Sequence, residues 1–292
     1  MLPLIVEQLV QGAELREMVA AAALANARTF GGEDYIGFHA FMAPAPAYAM
    51  SKETPADRRA LPVLKVLYRS THQIQSKGGW SNEVLHPVTA APLPPAHTGR
   101  ETLRDPGRTQ ALPGKPLGSV HGDSPGVHAS DSMNAWRNIA RVSDHNNAVA
   151  GLIVAGYHLA VPMGRDWKQL PPYPLTEQTA AIKAQDPASL LRDLDGAIRE
   201  NDQAKAAALV QRYGAQGHAV RPVFDLLLGY AISEDGALHA EKYYRTVVEE
   251  FGRTRKAFQW SHVVGLARVT ASEYGKRADG YEQACGLLQV KS

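Results

Sequence analysis

Four histidines of this 292-residue chain lie beside apolar or tyrosine neighbours in segments that the sequence predicts to be helical. They are His39, His158, His239 and His262. Imidazoles that converge from facing helices are a common way for a helical bundle to bind iron, copper or zinc. The four side chains are therefore candidate ligands of one transition-metal ion. His39 and His239 are also candidate catalytic bases, because neutral imidazole can take up a proton near neutral pH.

Two tyrosines accompany these histidines, Tyr35 before His39 and Tyr243 after His239. Each hydroxyl can donate a hydrogen bond to bound oxygen or to a substrate carbonyl, so both tyrosines are candidate catalytic residues. A metal-free pocket, with a histidine as general base and a tyrosine as donor, stays open beside the metal site. For His262 a third interpretation stays open, in which a buried imidazole bonds to a carbonyl or hydroxyl group for stability alone.

The signatures of familiar cofactor sites are missing from the sequence. No glycine-rich phosphate loop follows a strand, and there is no GxSxG, no HExxH and no inward-facing ExxH pair. The carboxylates of a di-iron site are not evident at the expected spacing. Cys285 is the only cysteine, which excludes an internal disulfide and a zinc site built from several cysteines.

Composition excludes some classes of partner. The net charge of +2 comes from 31 basic and 29 acidic residues spread along the chain, without the basic stripe of a nucleic-acid surface. The longest apolar stretch, Ala148–Pro162, is too short for a membrane span. The first residues lack the basic region of a secretory signal. We expect a soluble protein with no nucleic-acid partner, in a compartment that the sequence leaves open with a slight preference for the cytoplasm. The oligomeric state is also open.

The stretch Ser233–Gly275 predicts two helices joined by a short basic turn. On the first helix, apolar residues recur at three- and four-residue steps from Ala237 to Phe251, which predicts one buried face. Polar side chains turn away from that face, among them Lys242. On the second helix we expect His262 to be buried.

The two ends of the chain show a similar order of elements. Each has an apolar helix, an acidic pair, a histidine between apolar residues, a charged link and a further helix. The acidic pairs and histidines are Glu33-Asp34 with His39 and Glu234-Asp235 with His239. This order predicts a degenerate duplication of a helical hairpin. It would place His39 and His239 at equivalent positions that face a shared cavity.

No convincing strand pattern occurs, so we predict an all-α multi-helical array with one long irregular loop. We expect a single domain over residues 1–292. Its parts are a first helical repeat over 1–75, the irregular loop over 76–130, central helices over 131–170 and a second helical repeat over 171–292. Prolines and glycines concentrate in the loop, and such a long loop in a compact domain is usually functional or disordered.

The segment Leu238–Leu266 resembles the questin oxidase-like family, in which helices carry a histidine followed by a downstream aromatic residue. Here His239 is followed by Trp260. The resemblance implies an all-helical, oxygen-using oxidoreductase acting on a small aromatic or quinone-like molecule. The alternative is a non-enzymatic helical-repeat scaffold for protein interaction. Enclosure of the four histidines around one cavity would favour the enzyme, because a scaffold should present a concave polar or aromatic surface.

Overall fold

The computed structural model describes residues 1–29, 42–75, 125–142, 144–146, 148–149, 153 and 173–292. These residues form an all-α structure, which confirms the predicted fold class; Glu234 and Arg277 form an isolated antiparallel bridge. The helices are α1 (Leu2–Val10), α2 (Leu15–Thr29), α3 (Pro44–Ser51), α4 (Leu61–Gln75), α5 (Pro125–Val142), α6 (Thr176–Ala181), α7 (Pro187–Arg199), α8 (Gln203–Ala215), α9 (Arg221–Ser233), α10 (His239–Arg253), α11 (Lys256–Glu273) and α12 (Tyr281–Leu288). None of these helices is both long and apolar enough to cross a bilayer.

Local sequence signals set several helix boundaries. The Asp186 carboxylate accepts a hydrogen bond from the Ser189 N–H at 2.8 Å and caps α7. Asp202 accepts from the Lys205 N–H at 2.9 Å and caps α8 in the same way. Gly217, with φ of +75°, follows the end of α8 in the left-handed conformation that favours glycine.

One expected boundary is wrong. The central helices, expected to begin at residue 131, begin at Pro125, because proline is well tolerated in the first turn of a helix. Gly214 lies inside α8, where the missing Cβ allows an aromatic ring of α11 to approach closely. Glu33-Asp34, His39 and most of the expected irregular loop and central helices lie outside the described residues. The duplicated hairpin and the domain boundaries therefore stay predictions.

The chain divides into two compact units. Unit 1 comprises Met1–Ala90, Leu228–Arg245 and Lys276–Ser292, and unit 2 comprises Ala91–Leu227 and Thr246–Gly275. Each unit has its own helix packing.

In unit 1, α4 packs against α3 and α12. One core cluster consists of Ala43, Ala47, Val63, Val66, Leu67 and Leu238, with side chains of α1 and α2 against it. Gly280 allows a close contact within this unit, since a Cβ there would lie 2.8 Å from Cγ of Tyr68. The core thus includes Leu238, which comes from the short connection before α10.

In unit 2, α8 packs against α7 and α11. Trp260 lies so close to α8 that a Cβ on Gly214 would be 2.2 Å from its Cδ2 atom. The Trp260 ring also makes an edge contact with Phe251, at a centroid distance of 5.7 Å. Glycine–aromatic and aromatic–aromatic packing therefore contributes to the core of this unit around Trp260.

Candidate functional site at the start of α10

A left-handed turn separates α9 from α10. Gly236, Ala237 and Leu238 have φ angles of +50°, +46° and +66°. For alanine and leucine this conformation costs about 1–2 kcal/mol each, so it persists only where surrounding contacts hold it. The expectation that Ala237 belongs to the buried stripe of the helix is wrong, because α10 begins after the turn.

Apolar packing fixes one end of this turn. The Leu238 side chain is buried and belongs to the same core cluster as Val63, Val66 and Leu67 of α4. Burying a leucine side chain stabilises by about 1.5–3 kcal/mol, which is enough to offset the cost of its left-handed backbone. The core of unit 1 therefore stabilises the strained turn directly.

The acidic pair before the turn is held by three basic side chains. Asp235 is only 3% exposed and lies 2.9 Å from Nη1 of Arg69 through Oδ1 and 2.6 Å from Nζ of Lys276 through Oδ2. Glu234 accepts a hydrogen bond from Nη1 of Arg277 at 3.0 Å. The Asp235 N–H also donates to the Lys276 carbonyl at 2.8 Å. Arg69 of α4 and two residues before α12 thus hold the acidic pair in place.

A buried ion pair fixes the first turn of α10. Glu241 is fully buried, and its Oε1 lies 2.5 Å from Nζ of Lys65. The same ammonium group donates to the Ala231 carbonyl at 2.7 Å. Lys65 and Arg69 are one helical turn apart on α4, so one face of α4 contacts acidic residues on both sides of the left-handed turn.

The prediction that only one face of α10 is buried is wrong. In addition to the apolar stripe, Glu241, Lys242, Thr246 and Glu250 are buried. Hydrophobic periodicity does not detect a polar helix face that is enclosed by charged partners.

His239 is the first residue of α10 and is only 1% exposed. Its Nδ1 atom lies 3.2 Å from the Gly236 carbonyl oxygen. A carbonyl oxygen can only accept a hydrogen bond, so this contact requires the proton on Nδ1. In the neutral ring Nε2 is then the basic nitrogen, as a general base or a metal ligand requires.

Tyr243 is one helical turn after His239, on the same side of α10, and is also buried. The structure thus brings together two of the four catalytic candidates. The other two, His39 and Tyr35, lie outside the described residues.

His262 is buried, as predicted, but belongs to unit 2. Its Nε2 atom lies 3.0 Å from Oγ1 of Thr254. The fourth candidate ligand, His158, lies outside the described residues. In the part of the chain that the structure describes, no group of three or more His, Cys, Asp or Glu side chains is placed to hold a metal ion.

The charged contacts on either side of the left-handed turn, chiefly those of Lys65, Arg69 and Glu241, are not predicted from the sequence. A usable signal was present, because Lys65 and Arg69 are two cations one turn apart in a helix whose other residues are largely apolar. Such cations on a buried helix require acidic partners elsewhere in the fold.

Comparisons of the chain with known protein families, with curated proteins and with solved structures find no match. The resemblance to the questin oxidase-like family therefore stays a prediction. The functional proposal depends on the geometry around His239.

Proposed function

We propose that this protein is an oxygen-using oxidoreductase that acts on a small aromatic or quinone-like molecule, with His239 as its general base. The observation that carries the proposal is the enclosed His239 ring, whose Nδ1 is bonded to the Gly236 carbonyl. That bond selects the tautomer with a basic Nε2. The strained turn that supplies the carbonyl is a further support, because backbone strain tends to occur at functional sites.

The proposed reaction removes two electrons and two protons from an aromatic diol. Nε2 of His239 takes the proton of one hydroxyl, which makes the ring more electron-rich and easier to oxidise. Dioxygen accepts the two electrons and two protons and becomes hydrogen peroxide, while the diol becomes a quinone. Tyr243 donates a hydrogen bond to a substrate oxygen, and its place one turn after His239 supports this role.

The alternative function is a non-enzymatic helical-repeat scaffold. The enclosure of His239 next to a strained turn favours the enzyme, since a scaffold should expose its polar and aromatic groups on a binding surface. The contact between His262 and the Thr254 hydroxyl fits a structural histidine. The catalytic role is therefore assigned to His239 and not to His262.

A transition metal bound by His39, His158, His239 and His262 stays a separate proposal. Elemental analysis of the purified protein, compared with His39→Ala and His239→Ala, tests it. Stoichiometric iron, copper or zinc that falls in both variants would establish the site. No stoichiometric metal in the unmodified protein, or unchanged metal in both variants, would reject the ligand set and leave the acid–base chemistry of His239.

The activity test measures oxygen uptake and peroxide release with a panel of hydroquinones, catechols and naphthalenediols. The unmodified protein should oxidise at least one of them. His239→Gln should lower the rate by about 10²–10⁴-fold, the usual contribution of a general base. His218→Gln is the matched control, because His218 is a partly buried histidine of unit 2 that packs on Tyr213.

Two outcomes would contradict the proposal. Equal rates for His239→Gln and the unmodified protein would remove His239 from the reaction. No oxidation of any panel member would reject the proposed activity and leave the scaffold as the better account.

A further inference from the structure

We propose that Arg69 is a positioning residue for His239, acting through Asp235 to hold the left-handed turn that orients the imidazole. Its effect on catalysis rests on the proposed function. Its effect on the conformation of His239 does not.

Arg69 is the less exposed of the two described cations that contact Asp235. Its Nη1 atom contacts both carboxylate oxygens, at 2.9 Å to Oδ1 and 3.1 Å to Oδ2. Lys276 also contacts Asp235, but its side chain is 46% exposed, compared with 20% for Arg69. Ion pairs that are more exposed to water contribute less, because solvent screens them. Replacement of Arg69 should therefore weaken the hold on Asp235 more than replacement of Lys276.

The turn and the ring orientation are linked by one atom. The hydrogen-bond acceptor for Nδ1 of His239 is the carbonyl oxygen of Gly236, the first residue of the left-handed turn. Relaxation of Ala237 or Leu238 to a right-handed conformation changes the direction of the backbone between this carbonyl and the ring. Loss of the turn therefore breaks the hydrogen bond that keeps the proton on Nδ1.

Asp235 is suited to hold the turn because it immediately precedes it and its carboxylate is buried. Hydrogen bonds to a buried charged group are stronger than those between neutral groups. With Arg69 removed, Lys276 remains as the described ion-pair partner of Asp235, and the strain of Ala237 and Leu238 is no longer fully offset. The turn then loses its single conformation even where the helices on either side persist.

The test compares Arg69→Ala, Arg69→Gln and Arg69→Lys by NMR of protein labelled with ¹⁵N-histidine, in the absence of substrate. Exchange of the His239 Nδ1 proton with water should become at least about tenfold faster in Arg69→Ala and Arg69→Gln. Arg69→Lys keeps the charge and should retain the signal. Arg199→Ala is the matched control, since it removes an exposed arginine–aspartate pair of unit 2 and should change nothing.

A second variant separates positioning from general loss of stability. Ala237→Gly removes a Cβ that opposes the left-handed conformation. Added to Arg69→Ala, it should restore slow exchange of the Nδ1 proton. If Arg69→Ala does not fold, the same pair of spectra is recorded with Arg69→Gln, which keeps most of the side-chain stem.

In the activity assay, kcat of Arg69→Gln should fall by about 10–100-fold, by analogy with the loss of partners that orient metal-bound histidines. An unchanged Nδ1 signal in both neutral variants would overturn the positioning role, whatever the activity. A lost signal in a protein with no oxidase activity would keep the positioning role and reject the proposed function.

Discussion

His239 and His262 are both enclosed, but the two units hold them in different ways. His239 follows a strained turn, and its Nδ1 donates a hydrogen bond to a backbone carbonyl. A buried and a partly buried ion pair lie on either side of it in sequence. His262 lies inside the regular helix α11 and contacts the Thr254 hydroxyl. Burial alone therefore does not identify a functional histidine. A strained backbone held in place by specific ion pairs is a better indicator of function.

Buried ion pairs alone do not distinguish the surroundings of His239 from those of His262 either. Unit 2 has an ion pair between Arg137 and Glu250, and Asn134 donates to Glu250 at 3.1 Å. These contacts join α5 to α10 between residues of regular helical conformation. In unit 1 the charged contacts lie on both sides of a left-handed turn. Their expected role there is to fix a backbone conformation as well as to join helices.

The largest expected effect comes from breaking the buried pair of unit 1. Lys65→Met leaves the Glu241 carboxylate buried without its counter-ion and should reduce the free energy of unfolding by about 3–5 kcal/mol. The double variant Lys65→Met/Glu241→Leu should recover most of this loss, because no buried charge remains. Urea unfolding of the two single variants and the double variant gives the coupling energy. Additive losses would show that the two side chains do not depend on each other.

A smaller effect is expected from the aromatic contact in unit 2. Gly214→Ala places a Cβ against the Trp260 ring and should destabilise by about 1–3 kcal/mol. Gly196→Ala is the control, because a Cβ at that helical glycine meets nothing within 4 Å. The control should stabilise by about 0.5–1 kcal/mol through helix propensity. Equal effects of the two substitutions on the urea midpoint would contradict the close packing of Trp260.

Because Ala237 is strained and Ala240 is not, replacement by glycine should change the free energy of unfolding in opposite directions at the two positions. Ala237→Gly should stabilise by about 1 kcal/mol, because alanine at positive φ is strained. Ala240→Gly, within α10, should instead destabilise by about 1 kcal/mol. Thermal unfolding of both variants checks the pair. Destabilisation by both would mean that the turn does not store strain at Ala237.

The smallest expected change in stability comes from Asp186, whose carboxylate in unit 2 is exposed, unlike that of the buried Asp235. The Ser189 N–H bonded to Asp186 holds the pKa of that carboxyl below its ordinary value. The resulting stabilisation is complete above the unfolded pKa of about 3.9 and is lost as pH falls through the lower folded pKa. The stability advantage over Asp186→Asn should therefore shrink in acid. Urea midpoints that differ equally at neutral and acidic pH would contradict this.

Sequence reasoning succeeded where the signal is local. The caps Asp186 and Asp202 follow from residues within a few positions of each helix start. The turn before α10 could not be predicted in this way, because its neighbours are held by residues distant in sequence. Arg69 and Lys276 contact Asp235 before the turn, and side chains of α4 pack on Leu238. Burial of His262 followed from its apolar face, whereas the partners of His239 required the tertiary fold.

The tautomer of His239, measured at a pH where the ring is neutral, tests most directly whether the Gly236 carbonyl orients the imidazole. Long-range ¹H–¹⁵N spectra of ¹⁵N-histidine protein distinguish a protonated nitrogen from an unprotonated one, and His239→Gln assigns the signal. We expect a protonated Nδ1 with slow exchange and an unprotonated Nε2. A ring protonated at Nε2, or one that averages between the two tautomers, would contradict this expectation.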